Sequence, residues 1–456
     1  KPIFGIKAKK TLKRTMEATF FERFPLLNKL IFSQLDNESL VTCKEVDKAW
    51  KNCVNGQKLP WIRMIEKHIG RLSQFPRTWK KVTSKTPVQI VQELALAVKK
   101  FSMVYQDDSV FFSGTVWTPI HVLVPYGNLE LFQFFFEKIG EKNYAKFNGP
   151  TSEPMTPLHL AATAGCYDIF RYIIENIDDK NPSDSDGITP LHLASEYGHL
   201  EICQLIMDYV ENKNPASESG DTPLHRAAAK DHFNVCVNIM AYVNDKNPSD
   251  NGGLTPLHYA AVDGRFEICK LIITNVDDKN PASDEGLTPL QVAAREGHLN
   301  ICKLIIDLVN DKNPSDIEGI TPLHAAAEEG YLEICNLLLE NVQNKNPADN
   351  EGDTPLHNAA HDGHFEVFKV IFENVNIKNP AGNYGYTPLH YAAQQGHFNV
   401  CKLILENVIV KNPSNDKGET PLSIATRHGH KDICKLFTKR KSLDVNTDQK
   451  AKLAKK

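Results

Sequence analysis

Thr189-Pro190-Leu191-His192-Leu193-Ala194-Ser195-Glu196-Tyr197-Gly198-His199-Leu200-Glu201-Ile202-Cys203 is the stretch from which the fold can be read. Proline tolerates the first position of a helix, where its missing N–H costs nothing, and Thr189 before it is a natural N-cap. The small residues Ala194 and Ser195 suit a closely packed helix. Gly198-His199 interrupts it, and Leu200, Ile202, Cys203, Leu205, Ile206 and Met207 form the apolar side of a second helix. Lys213-Asn214-Pro215 ends that helix, and Ser219-Gly220 supplies a hairpin-like turn before the next threonine-proline.

The same pattern begins at Thr156, Thr189, Thr222, Thr255, Thr288, Thr321, Thr354, Thr387 and Thr420, always 33 residues apart. An earlier copy at Thr118-Pro119-Ile120-His121, 38 residues upstream, continues in Gly127-Asn128-Leu129-Glu130, which makes ten units. One unit cannot bury its apolar side alone, so the units must stack, and a curved solenoid with a broad concave face is expected.

The pattern resembles the ankyrin repeat family over residues 118–438: the Thr-Pro-Leu-His start, the paired alanines, the glycine-histidine and the Asx-rich turn stand in register. The resemblance implies that His121, His159, His192, His225, His258, His324, His357 and His390 tie turns to the helical stack by hydrogen bonds. Gln291 and Ser423 replace that histidine in two units, which argues against an obligate metal ladder. Where the family ends its second helix with glycine, this chain has Asn176, Asn275, Asn341, Asn374 and Asn407, and elsewhere Tyr209, Tyr242 and Leu308. Asparagine tolerates the left-handed conformation, so it is expected to cap those helices in that way, and the tyrosine and leucine junctions are expected to cap differently.

Cysteine follows the same period. Cys203, Cys236, Cys269, Cys302 and Cys335, then Cys401 and Cys434, occupy one place in the apolar stripe, where Phe368 substitutes once. They are expected to be buried small hydrophobes in a reducing, intracellular compartment, cytoplasmic or nuclear, rather than a disulfide framework or zinc cluster. No P-loop, GxSxG elbow, HExxH or glycine-rich dinucleotide fingerprint is present, so neither an enzyme nor a cofactor is expected.

Of the 456 residues, 41% are hydrophobic and 24% charged, the profile of a folded chain, and the apolar runs fall far short of the ~18 residues of a spanning helix. No positive-then-apolar leader opens the sequence, and because it starts at Lys1 rather than Met, further N-terminal sequence is expected. The net charge of -4 hides a division: residues 1–100 carry +13 and residues 101–438 carry -22. An acidic array disfavours nucleic acid and attracts a basic protein region. Recognition is expected at positions that vary while the scaffold repeats, namely Arg226, Tyr259, Asp263, Arg295, Asn358, His361, Tyr386 and Tyr391.

Upstream, Phe24-Pro25-Leu26-Leu27-Asn28-Lys29-Leu30-Ile31-Phe32-Ser33-Gln34-Leu35, then Leu40, Val46, Trp50 and Trp61, read as short packed helices. Over residues 22–65 this resembles the F-box family, with Phe24-Pro25 in place of the commoner leucine-proline. The resemblance implies docking on a Skp-family adaptor, and through it a cullin–RING ubiquitin ligase, by Pro25, Leu26, Leu30, Ile31, Leu35, Leu40 and Val46. The organisation expected is all-α: a basic arm (1–21), the F-box-like domain (22–65), a helical bridge (66–110), the ankyrin solenoid (111–438) and a basic tail (439–456). The function so implied is substrate recruitment to the ligase, with a ligase-independent ankyrin scaffold as the alternative.

Overall fold

The computed structural model describes residues 156–438 and isolated positions between 124 and 136. The arm, the F-box-like stretch with all seven adaptor residues, the bridge, the start of the first repeat and the tail lie outside the described residues. The chain divides into two compact units after Leu224. Each described part is a stack of paired helices, an ankyrin-repeat solenoid without strands among the described residues.

In the first unit, the helix pairs Pro157–Ala164 with Tyr167–Glu175 and Pro190–Glu196 with Leu200–Tyr209 stack in register. Upstream of them Gly127 adopts φ 78°, as the glycines between paired helices do, and Phe132 and Phe136 pack against Tyr172 with ring centroids 6.3 and 5.2 Å away. The second unit repeats the pair from Pro256–Val262 with Phe266–Asn275 to Pro388–Gln395 with Phe398–Asn407, followed by Pro421–Arg427 and a helix over 431–438.

The first helices up to Pro388–Gln395 bury their leucine and central alanines, for example Leu323, Ala325, Ala326 and Ala327, all without exposed surface, while Leu422 in the last is half-buried. Among the described residues, six of the second helices bury an Ile/Val-Cys pair and a second apolar pair one turn on, and two bury Ile169-Phe170 or Val367-Phe368 in its place. Cys203, Cys236, Cys269, Cys302, Cys335 and Cys401 are fully buried, and Phe368 fills the same place. Burial pushes these six thiols up to about 12, so they are not nucleophiles at neutral pH. Cys166 and Cys434 are half-buried.

The second helices do not end as expected. Asn176 has φ -111°, and among the described residues the one non-glycine with positive φ is Asp231. The asparagines cap through their side chains instead. The amides of Asn176, Asn275, Asn341, Asn374 and Asn407 donate to the carbonyl four residues back at 2.7 to 3.0 Å. The tyrosine-ended helices leave through an extended valine, Val210 or Val243, as Asn275 does through Val276.

The Lys-Asn-Pro signature closes the remaining gaps. Lys180 Nζ donates to the carbonyls of Ile174 at 2.6 Å and Ile177 at 2.5 Å, and Lys213, Lys279, Lys312 and Lys378 reach the equivalent helix ends. A cation there offsets the negative end of the helix dipole. The following asparagine serves the next repeat: Asn181, Asn214, Asn247, Asn280, Asn313, Asn346, Asn379 and Asn412 each accept the backbone N–H of the leucine ten residues on. One tripeptide thus ends one helix and starts another.

Asp231 marks a local compromise. It stands at φ 64° where the other repeats have glycine, and Arg265, not histidine, follows one repeat later, donating from Nε to the Ala229 carbonyl. Left-handed backbone costs a non-glycine residue about 1–3 kcal/mol, and glycine's extra unfolded-state freedom offsets part of any relief. Asp231→Gly is therefore expected to stabilise the chain by about 0.5–1 kcal/mol in urea unfolding.

Candidate functional site

The scaffold residues come first, because they determine which side chains remain for a partner. In six repeats the histidine Nδ1 accepts the N–H of its own N-cap threonine at 2.9 to 3.2 Å. A nitrogen that accepts carries no proton, so Nε2 carries it, and Nε2 faces a backbone carbonyl 29 residues on. These acceptors are the carbonyls of Ile188, Asp221, Leu254, Leu287, Asp353, Tyr386 and Glu419, at 3.0 to 3.4 Å. The histidines are buried, and burial holds His159, His258, His324 and His390 below the usual imidazole value and His357 down to about 4. They are neutral linkers between a helix start and the next turn.

Gln291 shows what happens without the ring. Its Nε2 donates to Asp316 Oδ2 at 2.7 Å, while its buried Oε1 has no hydrogen-bond partner. No Nδ1 is present to accept the Thr288 N–H. An orphaned buried acceptor costs about 1–3 kcal/mol. Gln291→His restores both bonds in register and is expected to raise stability by about 1 kcal/mol at pH 7.5, read as a higher urea midpoint.

With the histidines, threonines, alanines and Lys-Asn-Pro committed to structure, the variable side chains sit on the turns and along the first helices. Among the eight residues singled out from sequence, Asp263 is exposed and the other seven are half-buried. The structure brings three of them together. The Tyr386 and Tyr391 rings lie 5.5 Å apart, inclined at 31°, and His361 stands edge-on to Tyr391 at 5.7 Å. Gln395 Nε2 lies 3.0 Å from His361 Nε2, and Asp362 Oδ1 lies 2.7 Å from its Nδ1. Asn358, Arg295 and Arg226 do not join this group through any contact described. Tyr259 stands apart, its hydroxyl donating to Asp250 Oδ2 at 3.0 Å and its ring 5.2 Å from His225.

Two carboxylates in the group were not singled out from sequence. Tyr391 donates to Asp353 Oδ2 at 2.8 Å, and Tyr386 donates to Glu419 Oε2 at 3.0 Å. Asp353, Tyr386 and Glu419 each precede an N-cap threonine, where earlier repeats of the second unit carry Leu254, Leu287 and Ile320. That column therefore changes from aliphatic to acidic and aromatic along the stack. Glu419 is also paired with Arg427 and accepts from Asn415, which hold its carboxyl down at about 2. Burial instead pushes the Asp353 carboxyl above its ordinary range.

Among the described residues no group of three or more His, Cys, Asp or Glu side chains is arranged to hold a metal ion, and no helix is long and apolar enough to cross a membrane. Comparison with protein families agrees with the geometry: the family described as ankyrin repeats (3 copies) matches residues 83–184, 176–247, 236–316, 306–381 and 373–449. The chain belongs to the ankyrin repeat family. Residues 22–65 fall outside these matches. No curated protein matches the chain.

Proposed function

We propose that this chain is a protein-interaction scaffold that binds its partner along the turns and first helices of the second unit. The observation that carries this reading is the division of labour within each 33-residue repeat. Scaffold positions hold the same residue and are consumed by internal hydrogen bonds, whereas the column before threonine and the position after histidine vary in size and charge. The excess of acidic residues in the array favours a basic partner surface by steering and by complementary contacts. Catalysis plays no part in this reading.

The test is site-specific photocrosslinking on the full chain in extract. A photoreactive residue at Tyr259 or Tyr391 is expected to trap the same protein, and one at Lys402, exposed on a second helix, is expected to trap none of it. Equal capture at Lys402, or none at either tyrosine, contradicts the reading.

The finer possibility is ligase recruitment, and the sequence of residues 24–35 favours it. In that version the F-box-like stretch holds a Skp-family adaptor and a cullin–RING ligase while the repeats present the substrate. The chain then supplies proximity, and the transfer chemistry belongs to other subunits. Affinity purification of the full chain is expected to recover the adaptor and the cullin, and replacing Leu30 and Ile31 by polar residues is expected to lose both. Recovery of neither leaves the chain a ligase-independent scaffold.

A further inference from the structure

We propose that the group formed by Asp353, Tyr386 and Tyr391 binds an arginine side chain of the bound protein. This rests on the protein-binding reading above and adds the residue that the partner must supply.

The two carboxylates of the group are chemically alike but treated differently by the fold. Glu419 has its cation within the chain, in Arg427, and a further donor in Asn415. Asp353 has none. Its side chain is only 19% exposed, one oxygen accepts from Tyr391, and among the described residues no lysine or arginine reaches it. His357 Nε2 lies 3.7 Å from Oδ1 but faces the Tyr386 carbonyl at 3.4 Å, and His361 is the other imidazole whose charge acts on this carboxylate. Burying a carboxylate without a counter-charge is costly, and a cation arriving from outside relieves the cost.

The rings beside it select the kind of cation. Tyr386 and Tyr391 are half-buried rings packed together at 5.5 Å with planes inclined at 31°, and His361 stands edge-on to Tyr391, so an aromatic face lies beside the carboxylate. A planar guanidinium stacks on such a face while its N–H fork reaches a carboxylate, a combination that a compact ammonium cannot reproduce. Tyr391 is held in place for this by its hydroxyl bond to Asp353. Tyr259, at the equivalent place four repeats earlier, donates its hydroxyl to Asp250 in the turn of its own repeat.

The experiment uses the full chain and short fluorescein-labelled peptides containing leucine and arginine. The same peptides with citrulline or lysine at each arginine serve as comparisons, and binding is read by fluorescence anisotropy. Arginine peptides are expected to bind roughly tenfold tighter than their citrulline counterparts, and tighter than the lysine peptides. Asp353→Asn is expected to bring the arginine-to-citrulline ratio close to one. Glu340→Gln removes an equal charge from an exposed site on a second helix and is expected to leave the ratio within about twofold, which separates the Asp353 site from the general acidity of the array. Tyr386→Ala is expected to lower the ratio too and decides the matter should Asp353→Asn melt early. Equal binding of arginine and citrulline peptides, binding of neither, or a ratio that survives Asp353→Asn overturns the proposal. The scaffold reading is judged separately by the photocrosslinks.

Discussion

Gly352→Val is expected to destabilise the repeat array by about 3–5 kcal/mol, the largest effect of a single residue foreseen here. Gly352 has φ 78°, a conformation that β-branched residues scarcely adopt. A Cβ added there would lie 2.7 Å from the Asn383 backbone nitrogen and 2.8 Å from its Oδ1. Neither atom can retreat cheaply. The Asn383 N–H donates to the Glu351 carbonyl, and its side-chain amide donates to the Asn350 carbonyl, both at 2.8 Å. These bonds tie consecutive turns together. Gly418 provides the control, since it has φ 75° but nothing within 4 Å of its hypothetical Cβ. Gly418→Val is therefore expected to cost only the backbone strain, about 1–3 kcal/mol. Urea unfolding of both variants measures the difference. Equal losses would show that close packing between turns contributes nothing.

Acid is expected to weaken the stack steeply between pH 6.5 and 4. An unfolded histidine takes up a proton near 6.5, whereas His357 in the fold resists until about 4, because burial outweighs the hydrogen bonds that favour its charged form. The unfolded state therefore binds more protons across that window, and stability falls as pH falls through it. The contribution is fully present above 6.5. For His357 alone the loss is about 3 kcal/mol by pH 4. His159, His258, His324 and His390 are shifted in the same direction, chiefly by burial, and add to it. Asp353 opposes them: with its carboxyl raised, the fold takes up that proton more readily, which stabilises as pH falls. Five histidines against one such carboxylate leave a net loss. Urea unfolding from pH 7.5 to 4 should show it, and His357→Gln should flatten the profile while starting from a lower stability. A flat profile in the native chain would mean that the ladder histidines are charged, or not buried.

The 33-residue period made the fold legible because every level of structure repeats with it. The N-cap, the helix break, the buried cysteine and the turn glycine each recur at one interval. The ladder histidine could be anticipated for the same reason. Lys-Asn-Pro was harder to read. As a string it signals only the end of a helix, whereas the carbonyls that Lys180 serves lie three and six residues back and the N–H that Asn181 serves lies ten ahead. The constant spacing from that asparagine to the next leucine was the available signal. The expectation for Asn275 and its equivalents failed because asparagine offers two ways to cap a helix, and the amide won over the left-handed backbone.

The site was legible only in part. Tyr386, Tyr391 and His361 stand out as irregularities in a regular sequence. Asp353 and Glu419 read as ordinary polar turn residues until the stack sets them beside tyrosines from other elements. Tyr391 and Asp353 are 38 residues apart, more than one period, so no single repeat contains the pair.

The central claim is that one face of the repeats binds and the other does not. Its most direct measurement is the affinity of the trapped partner for two triple variants, with thermal melting as a check on folding. Tyr259→Ala, Asp353→Asn and Tyr391→Ala combined are expected to weaken binding at least a hundredfold, about 3 kcal/mol, as loss of interface anchors does. Lys270→Ala, Lys369→Ala and Lys402→Ala, on exposed positions of second helices, are expected to change it less than about twofold. Unchanged affinity in the first set, or a large loss in the second, would contradict the account.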